Sequence, residues 1–183
     1  MTKELSQVLA ANAVRRLSQE EELNLKPERL LRMRWVLTWK YTEGGDRKAK
    51  ARLVILGYQH PELTSVPTAA PTLGKMSRHL LLQACALHKL RVHFGDVSSA
   101  FLQTSASEEY QELTIKAPPE VGYLFSDSEG KPARYVRLMK SFYGLTSAPR
   151  AWWLEITQKL SQLGWKPMST DQLSGVVILM TVS

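Results

Sequence analysis

Apolar residues change spacing several times along this chain, and each spacing predicts an element. Leu5, Val8, Leu9, Ala13 and Leu17 recur as on one face of a helix, and the acidic run Glu20-Glu21-Glu22 closes the segment. A loosely attached N-terminal helix is therefore expected. From Arg34 the period falls to two: Trp35, Leu37, Trp39 and Tyr41 share one face of a strand, with Val36, Thr38 and Lys40 on the other. Glu43-Gly44-Gly45-Asp46 supplies a turn, because glycine reaches positive φ without steric cost. A second strand over 48–57 completes a β-hairpin and sets Lys48, Lys50 and Arg52 in a row on one face.

Beyond the hairpin, Pro61, Pro67 and Pro71 in a stretch without period predict a connecting loop. Helical spacing returns with Leu73, Met76, Leu80, Ala84 and Leu87. Residues 91–97 read as a short strand that carries Asp96 at its tip. Leu113–Lys116 and Tyr135–Leu138 read as two further strands, separated by loop signals at Pro118-Pro119 and 127–130. The clearest helix carries the stripe Ala148, Trp152, Ile156, Leu160 and Leu163, with Pro149 in its first turn. Val176-Val177-Ile178-Leu179-Met180 then reads as a buried strand.

Composition narrows the class. The chain has 183 residues, 44% of them hydrophobic, enough for one sizeable core. The formal net charge of +7 favours an anionic partner. Its excess lies toward the front: residues 1–60 hold 12 Lys and Arg against 7 Asp and Glu, the remainder 12 against 10. That distribution suits phosphate contact, although a solvated basic face on any soluble protein would look the same. Cys85 is the single cysteine, so an intrachain disulfide is excluded and a reducing compartment fits. No apolar run approaches the roughly 18 residues of a membrane span, and the N-terminus lacks the apolar region of a signal peptide. An intracellular protein of the cytoplasm or nucleus, without membrane partners, is expected.

Candidate chemistry is sparse. His60, His79, His88 and His93 show no spacing with acids or cysteine that suggests zinc, and Ser98 and Ser99 have no histidine partner implied for a hydrolase triad. Gly44-Gly45 lacks the Lys-Ser/Thr of a phosphate loop. Trp35, Trp39, Trp152 and Trp153 are expected in packing rather than as base-stacking platforms. Asp96 beside small residues could be a metal ligand, although a lone aspartate at a strand end is more often a cap or turn residue.

Six segments in order alter that balance. They are Lys50-Ala51-Arg52-Leu53-Val54 followed by Gly57 and Gln59; Thr68-Ala69-Ala70-Pro71; Asp96-Val97-Ser98-Ser99-Ala100-Phe101-Leu102; Ser141-Phe142-Tyr143-Gly144-Leu145; Ala148-Pro149-Arg150-Ala151-Trp152; and Asp171 after the long helix. Over residues 34–178 the chain resembles the reverse transcriptase of Ty1/copia-type retrotransposons. The resemblance implies an α+β fold: partial fingers and palm, an antiparallel sheet with a projecting β-hairpin and packed helices. It divides the chain into a helical extension, residues 1–33, and a truncated polymerase domain, residues 34–183. It also implies that Asp96 binds catalytic magnesium, that Lys50 and Arg52 reach the triphosphate, that Phe101 excludes a ribose 2′-hydroxyl, and that Tyr143 and Gly144 contact the nucleotide. The implied partners are an RNA or DNA template-primer and a deoxynucleoside triphosphate.

The departures are equally specific. Thr146-Ser147 stands where the family has Lys-Gln, and Ala69 replaces a phenylalanine. The Tyr-x-Asp-Asp hairpin, source of the other two metal-binding carboxylates, occurs nowhere in the sequence. Two-metal nucleotidyl transfer needs several carboxylate oxygens around ions about 3.5–4 Å apart. The chain is therefore expected not to polymerise DNA alone, unless another polypeptide supplies the rest of the palm. A non-catalytic nucleic-acid-binding module built on the basic hairpin is the alternative expectation.

Overall fold

The computed structural model describes residues 2–72, 74–93, 95–105, 110 and 112–165. Helix α1 spans Thr2–Ala10 and buries Val8. It ends sooner than the apolar stripe predicts, because Asn12 takes a left-handed conformation at φ 50°. The amide of Ala13 then returns to Val8 O (3.2 Å) and that of Asn12 to Leu9 O (2.9 Å), the hydrogen-bond pattern of a Schellman cap. Ala13 and Leu17 are buried all the same, not along a helix but around strand β1, Val14–Arg16. The acidic run that follows is itself a short helix, α2 (Gln19–Leu23). Ser18 caps it, and the Glu21 side chain reaches back to the Ser18 amide in a capping box.

Strands β2 (Leu30–Tyr41) and β3 (Arg47–Ile55) form the predicted hairpin, turned at Gly45 with φ 85°. Helix α3 (Lys75–Leu87) follows the predicted period, but none of its residues is buried. Strand β4 (Thr114–Lys116), helix α4 (Pro119–Leu124), strand β5 (Tyr135–Leu138) and helix α5 (Ala148–Gln162) complete the described elements. Helix α4 occupies a segment that reads as loop from its two prolines. Pro119 sits in the first turn, where its fixed φ suits a helix and its missing amide costs nothing.

One five-stranded sheet runs in the order β1-β5-β4-β2-β3. It is mixed rather than antiparallel: β2 pairs β4 in parallel, Leu30 against Thr114 through Arg32 against Lys116, and the other pairings are antiparallel. The strand expected over 91–97 is not formed by the described residues of that segment. A strand exists only where a neighbour accepts its backbone hydrogen bonds, and the described sheet has none for it. The expected strand 176–180 lies outside the described residues.

The core covers one end of this sheet. Leu31, Ile115, Val136 and Leu138 project from it against Leu102 and Phe142, all of them 2% exposed or less. Alternation carries the core along the hairpin only as far as the Trp35–Leu53 pair, with Leu53 buried and Trp35 half-buried. Beyond that point Leu37, Trp39 and Tyr41 are 65 to 70% exposed, so the arm projects past the core and Trp39 packs into no interior. Among the described residues no helix is long and apolar enough to cross a membrane.

Candidate functional site

The register of the hairpin builds the site's basic wall. Lys40 stands opposite Lys48, Thr38 opposite Lys50 and Val36 opposite Arg52. Directly opposed residues share a face, so Lys40, Lys48, Lys50 and Arg52 converge on one side. Like charges opposite one another repel. An anion bound between them relieves that repulsion.

The base of the arm is tied to the segment Ser141–Leu145. The Ile55 amide donates to Tyr143 O at 2.8 Å. Gly144 takes φ 92°, and a Cβ there would be driven into the Ile55 carbonyl oxygen and the Val54 side chain. Gly57 in turn lies so close that its own Cβ would strike Gly144 O. Glycine at both positions lets the two backbones touch. Tyr143 is thereby held next to β3, and its ring meets Phe101 edge to face, centroids 5.0 Å apart at 68°. Phe101 rides on a 3-10 turn over Ala100–Gln103, entered through a left-handed Ser99.

These pieces enclose a cleft of about 530 Å³, lined by Lys50, Arg52, Asp96 and Tyr143 together with Lys40, Lys48, Ser98 and Ser99. Four of the six predicted residues thus meet in one cavity. Phe101 and Gly144 do not line it and stand one layer behind Tyr143. Burial pushes the Tyr143 hydroxyl above its ordinary pKa of 10, the negative charges of Glu4 and Asp96 add to the rise, and Arg52 opposes it. The phenol therefore stays a proton donor throughout the neutral range.

Three residues of the cleft carry no signal in the sequence: Lys3, Glu4 and Gln7 of α1. Glu4 Oε1 accepts from the Leu53 amide at 3.4 Å. Nothing in the local sequence marks these side chains, since they look like the solvated face of an amphipathic helix. With them the lining carries five cations, Lys3, Lys40, Lys48, Lys50 and Arg52, against two carboxylates, Glu4 and Asp96. Among the described residues no three His, Cys, Asp or Glu side chains group to hold a metal ion. On their own these residues do not fit a two-ion magnesium centre, which needs more carboxylate oxygens.

Comparison with known proteins agrees with the order of motifs. Residues 23–178 match the family described as reverse transcriptase (RNA-dependent DNA polymerase). Retrovirus-related Pol polyproteins from transposons RE1 and RE2 of Arabidopsis thaliana are 33% and 34% identical over 140 residues, 75% of this chain. That from transposon TNT 1-94 of Nicotiana tabacum is 33% identical over 135 residues, 71% of the chain. The chain spans about 9% of the length of each of these relatives. No solved structure matches it significantly. A basic hairpin locked onto a Tyr-Gly turn, the motif order and a match over most of the chain lead to one conclusion: the protein belongs to the reverse transcriptase family, as a domain homologous to retrotransposon Pol proteins.

Proposed function

We propose that this chain is the nucleotide-contacting front of a copia-type reverse transcriptase, the fingers and the first part of a palm. The observation that carries the reading is the cleft, in which Lys50 and Arg52 on β3 face Asp96 and Tyr143. Cations on a hairpin that closes over a polyanion supply charge-assisted hydrogen bonds to phosphate oxygens. In this reading Lys50 and Arg52 hold the triphosphate of a deoxynucleotide. Phe101 backs Tyr143 and would limit room at the sugar only through that ring, and Gly144 keeps the Tyr143 turn tight against the hairpin.

Asp96 serves as one ligand for magnesium, whose bound form would neutralise the triphosphate and polarise its leaving group. The remaining carboxylates must come from elsewhere, since the sequence contains no Tyr-x-Asp-Asp. The 183 residues alone bind nucleotide and template-primer without extending a primer. Titration of a deoxynucleoside triphosphate into wild type and into Lys50→Ala/Arg52→Ala tests this reading. An affinity loss of about tenfold or more is expected from two charge-assisted contacts, and equal affinities would reject it. Primer extension should be absent for the chain alone. Should a polypeptide bearing the missing hairpin restore extension, Asp96→Asn should abolish it.

A second reading, a nucleic-acid-binding module, is favoured by the exposed tip of the hairpin. Trp39 and Tyr41 are 70% and 69% exposed, and the Arg47 guanidinium lies 5.7 Å from the Tyr41 ring centroid. Such a surface can stack unpaired bases. Trp39→Ala would then weaken single-strand binding while leaving triphosphate affinity unchanged.

A further inference from the structure

Helix α1 lies outside the family match, which begins at residue 23, yet it supplies one wall of the cleft. Its contact there is with backbone. Strand β3 is the last strand of the sheet, so one of its edges has no strand partner among the described residues. Along an antiparallel strand alternate amides point toward the neighbour and away from it. The amides of Ile55 and Leu53 point away: the first is taken by Tyr143 O and the second by the Glu4 carboxylate. The same alternation turns the amides of Ala51 and Ala49 outward, and both residues line the cleft. The free edge is therefore a row of N–H donors, alternating with carbonyls that point the same way, beside Lys48, Lys50 and Arg52, and a carboxylate already sits at its inner end.

We propose that Glu4 is a built-in competitor for this row: its carboxylate occupies the place of a phosphate oxygen, and a polyphosphate binds by displacing it. The proposal rests on the triphosphate reading of the cleft and adds its regulation by α1. The Glu4 contact at 3.4 Å is long for an N–H···O bond, so the carboxylate is held loosely enough to leave. Its charge nonetheless offsets part of the field of the surrounding cations, which an incoming polyanion must win back. A ligand with several charges collects the cations and the amides of Leu53, Ala51 and Ala49 together, which a single carboxylate does not.

The test is calorimetric titration of inorganic tripolyphosphate, without metal, into the full chain and its Glu4→Gln, Glu4→Asp and Arg52→Ala variants. Glu4→Gln removes the charge but keeps an oxygen that can accept from Leu53, so folding is preserved. It should tighten binding roughly three- to tenfold, as expected for removing one nearby negative charge. Glu4→Asp, with the charge drawn back by one methylene, should fall between Glu4→Gln and wild type. Arg52→Ala should weaken binding. The amide resonances of Leu53, Ala51 and Ala49 should shift together on titration of the wild type. If Arg52→Ala weakens binding while Glu4→Gln leaves it unchanged or weaker, the competitor role falls and the triphosphate reading stands. If tripolyphosphate binds none of the four proteins, or binds all four alike, the triphosphate reading falls and takes the competitor role with it.

Discussion

Gly144 joins two functions at one residue. Its φ of 92° is a conformation that side chains with a Cβ rarely adopt, and the Ile55 carbonyl oxygen fills the space a Cβ would need. Gly144→Ala should therefore cost about 2 kcal/mol or more, since both strain and overlap are introduced. It should also lower triphosphate affinity, because the turn that positions Tyr143 must move; denaturant unfolding and nucleotide titration check the two effects. Glu21 is the second informative residue. Its carboxylate takes two hydrogen bonds from Arg15 (2.6 and 2.8 Å), one from the Ser18 amide (2.8 Å) and one from Arg137 (3.2 Å). These partners, Arg15 foremost, bring its pKa down from 4.5 to about 2. The folded chain thus binds this proton less readily than the unfolded chain, and the stability it confers is present above the unfolded value and lost as pH falls toward 2. Glu21→Gln should cost about 1–2 kcal/mol at neutral pH, in the range of a helix cap joined to an ion pair. The gap from wild type should narrow between pH 5 and pH 2, as thermal melts across that range would record. A constant gap would mean that Glu21 acts through packing instead.

At the scale of elements, the hairpin is the part whose form and use are most closely linked. Its strands are as long as they are because alternation persists through Tyr41 and Arg47, but burial stops at Trp35 and Leu53. The outer half is held by ladder hydrogen bonds and by its turn, where Thr42 N donates to Asp46 O at 2.9 Å. An arm of this kind bends more readily than the sheet it grows from, and the proposed closure over a triphosphate would draw on that. Changing Lys48, Lys50 and Arg52 together to Gln should leave the fold intact, because none of the three is buried. The salt dependence of single-strand binding should become shallower by about 2 in log–log slope, at roughly 0.7 for each phosphate that is no longer neutralised. An unchanged slope would place the phosphate-binding cations on another face. Helix α1 is the opposite case: nine residues long and anchored by Val8, it is short but tied into the core.

Over the whole molecule, cohesion depends on interactions between distant parts of the chain. Strand β1 pairs with β5, Val14 against Leu138, and Met139 N donates to Ala13 O at 2.9 Å, so the first residues close one edge of the sheet. Removing residues 1–16 would bare the edge of β5 and uncover the core beneath Val8. Self-association on size exclusion and a lower melting temperature are expected, because an unpaired strand edge is a template for pairing with other chains. The local periods of the sequence sufficed for the hairpin, for β4 and β5, for the long helix α5, and for the row Lys48, Lys50 and Arg52, since each depends only on backbone repeat and residue type over a few positions. They failed for β1, three residues long, whose strand character comes from its neighbour alone, and for the described residues of 91–97, which find no neighbour in the described sheet. They also failed for Trp39, since alternation is the same in a buried strand and in a projecting arm and only what covers the strand tells them apart. Motif order carried family membership, because it is a property of linear spacing. The meeting of Glu4 with Leu53, and of the Tyr143 turn with Ile55, was decided by the fold. Both join segments about fifty and ninety residues apart through backbone groups, and a backbone amide has no residue type by which a sequence could announce its partner.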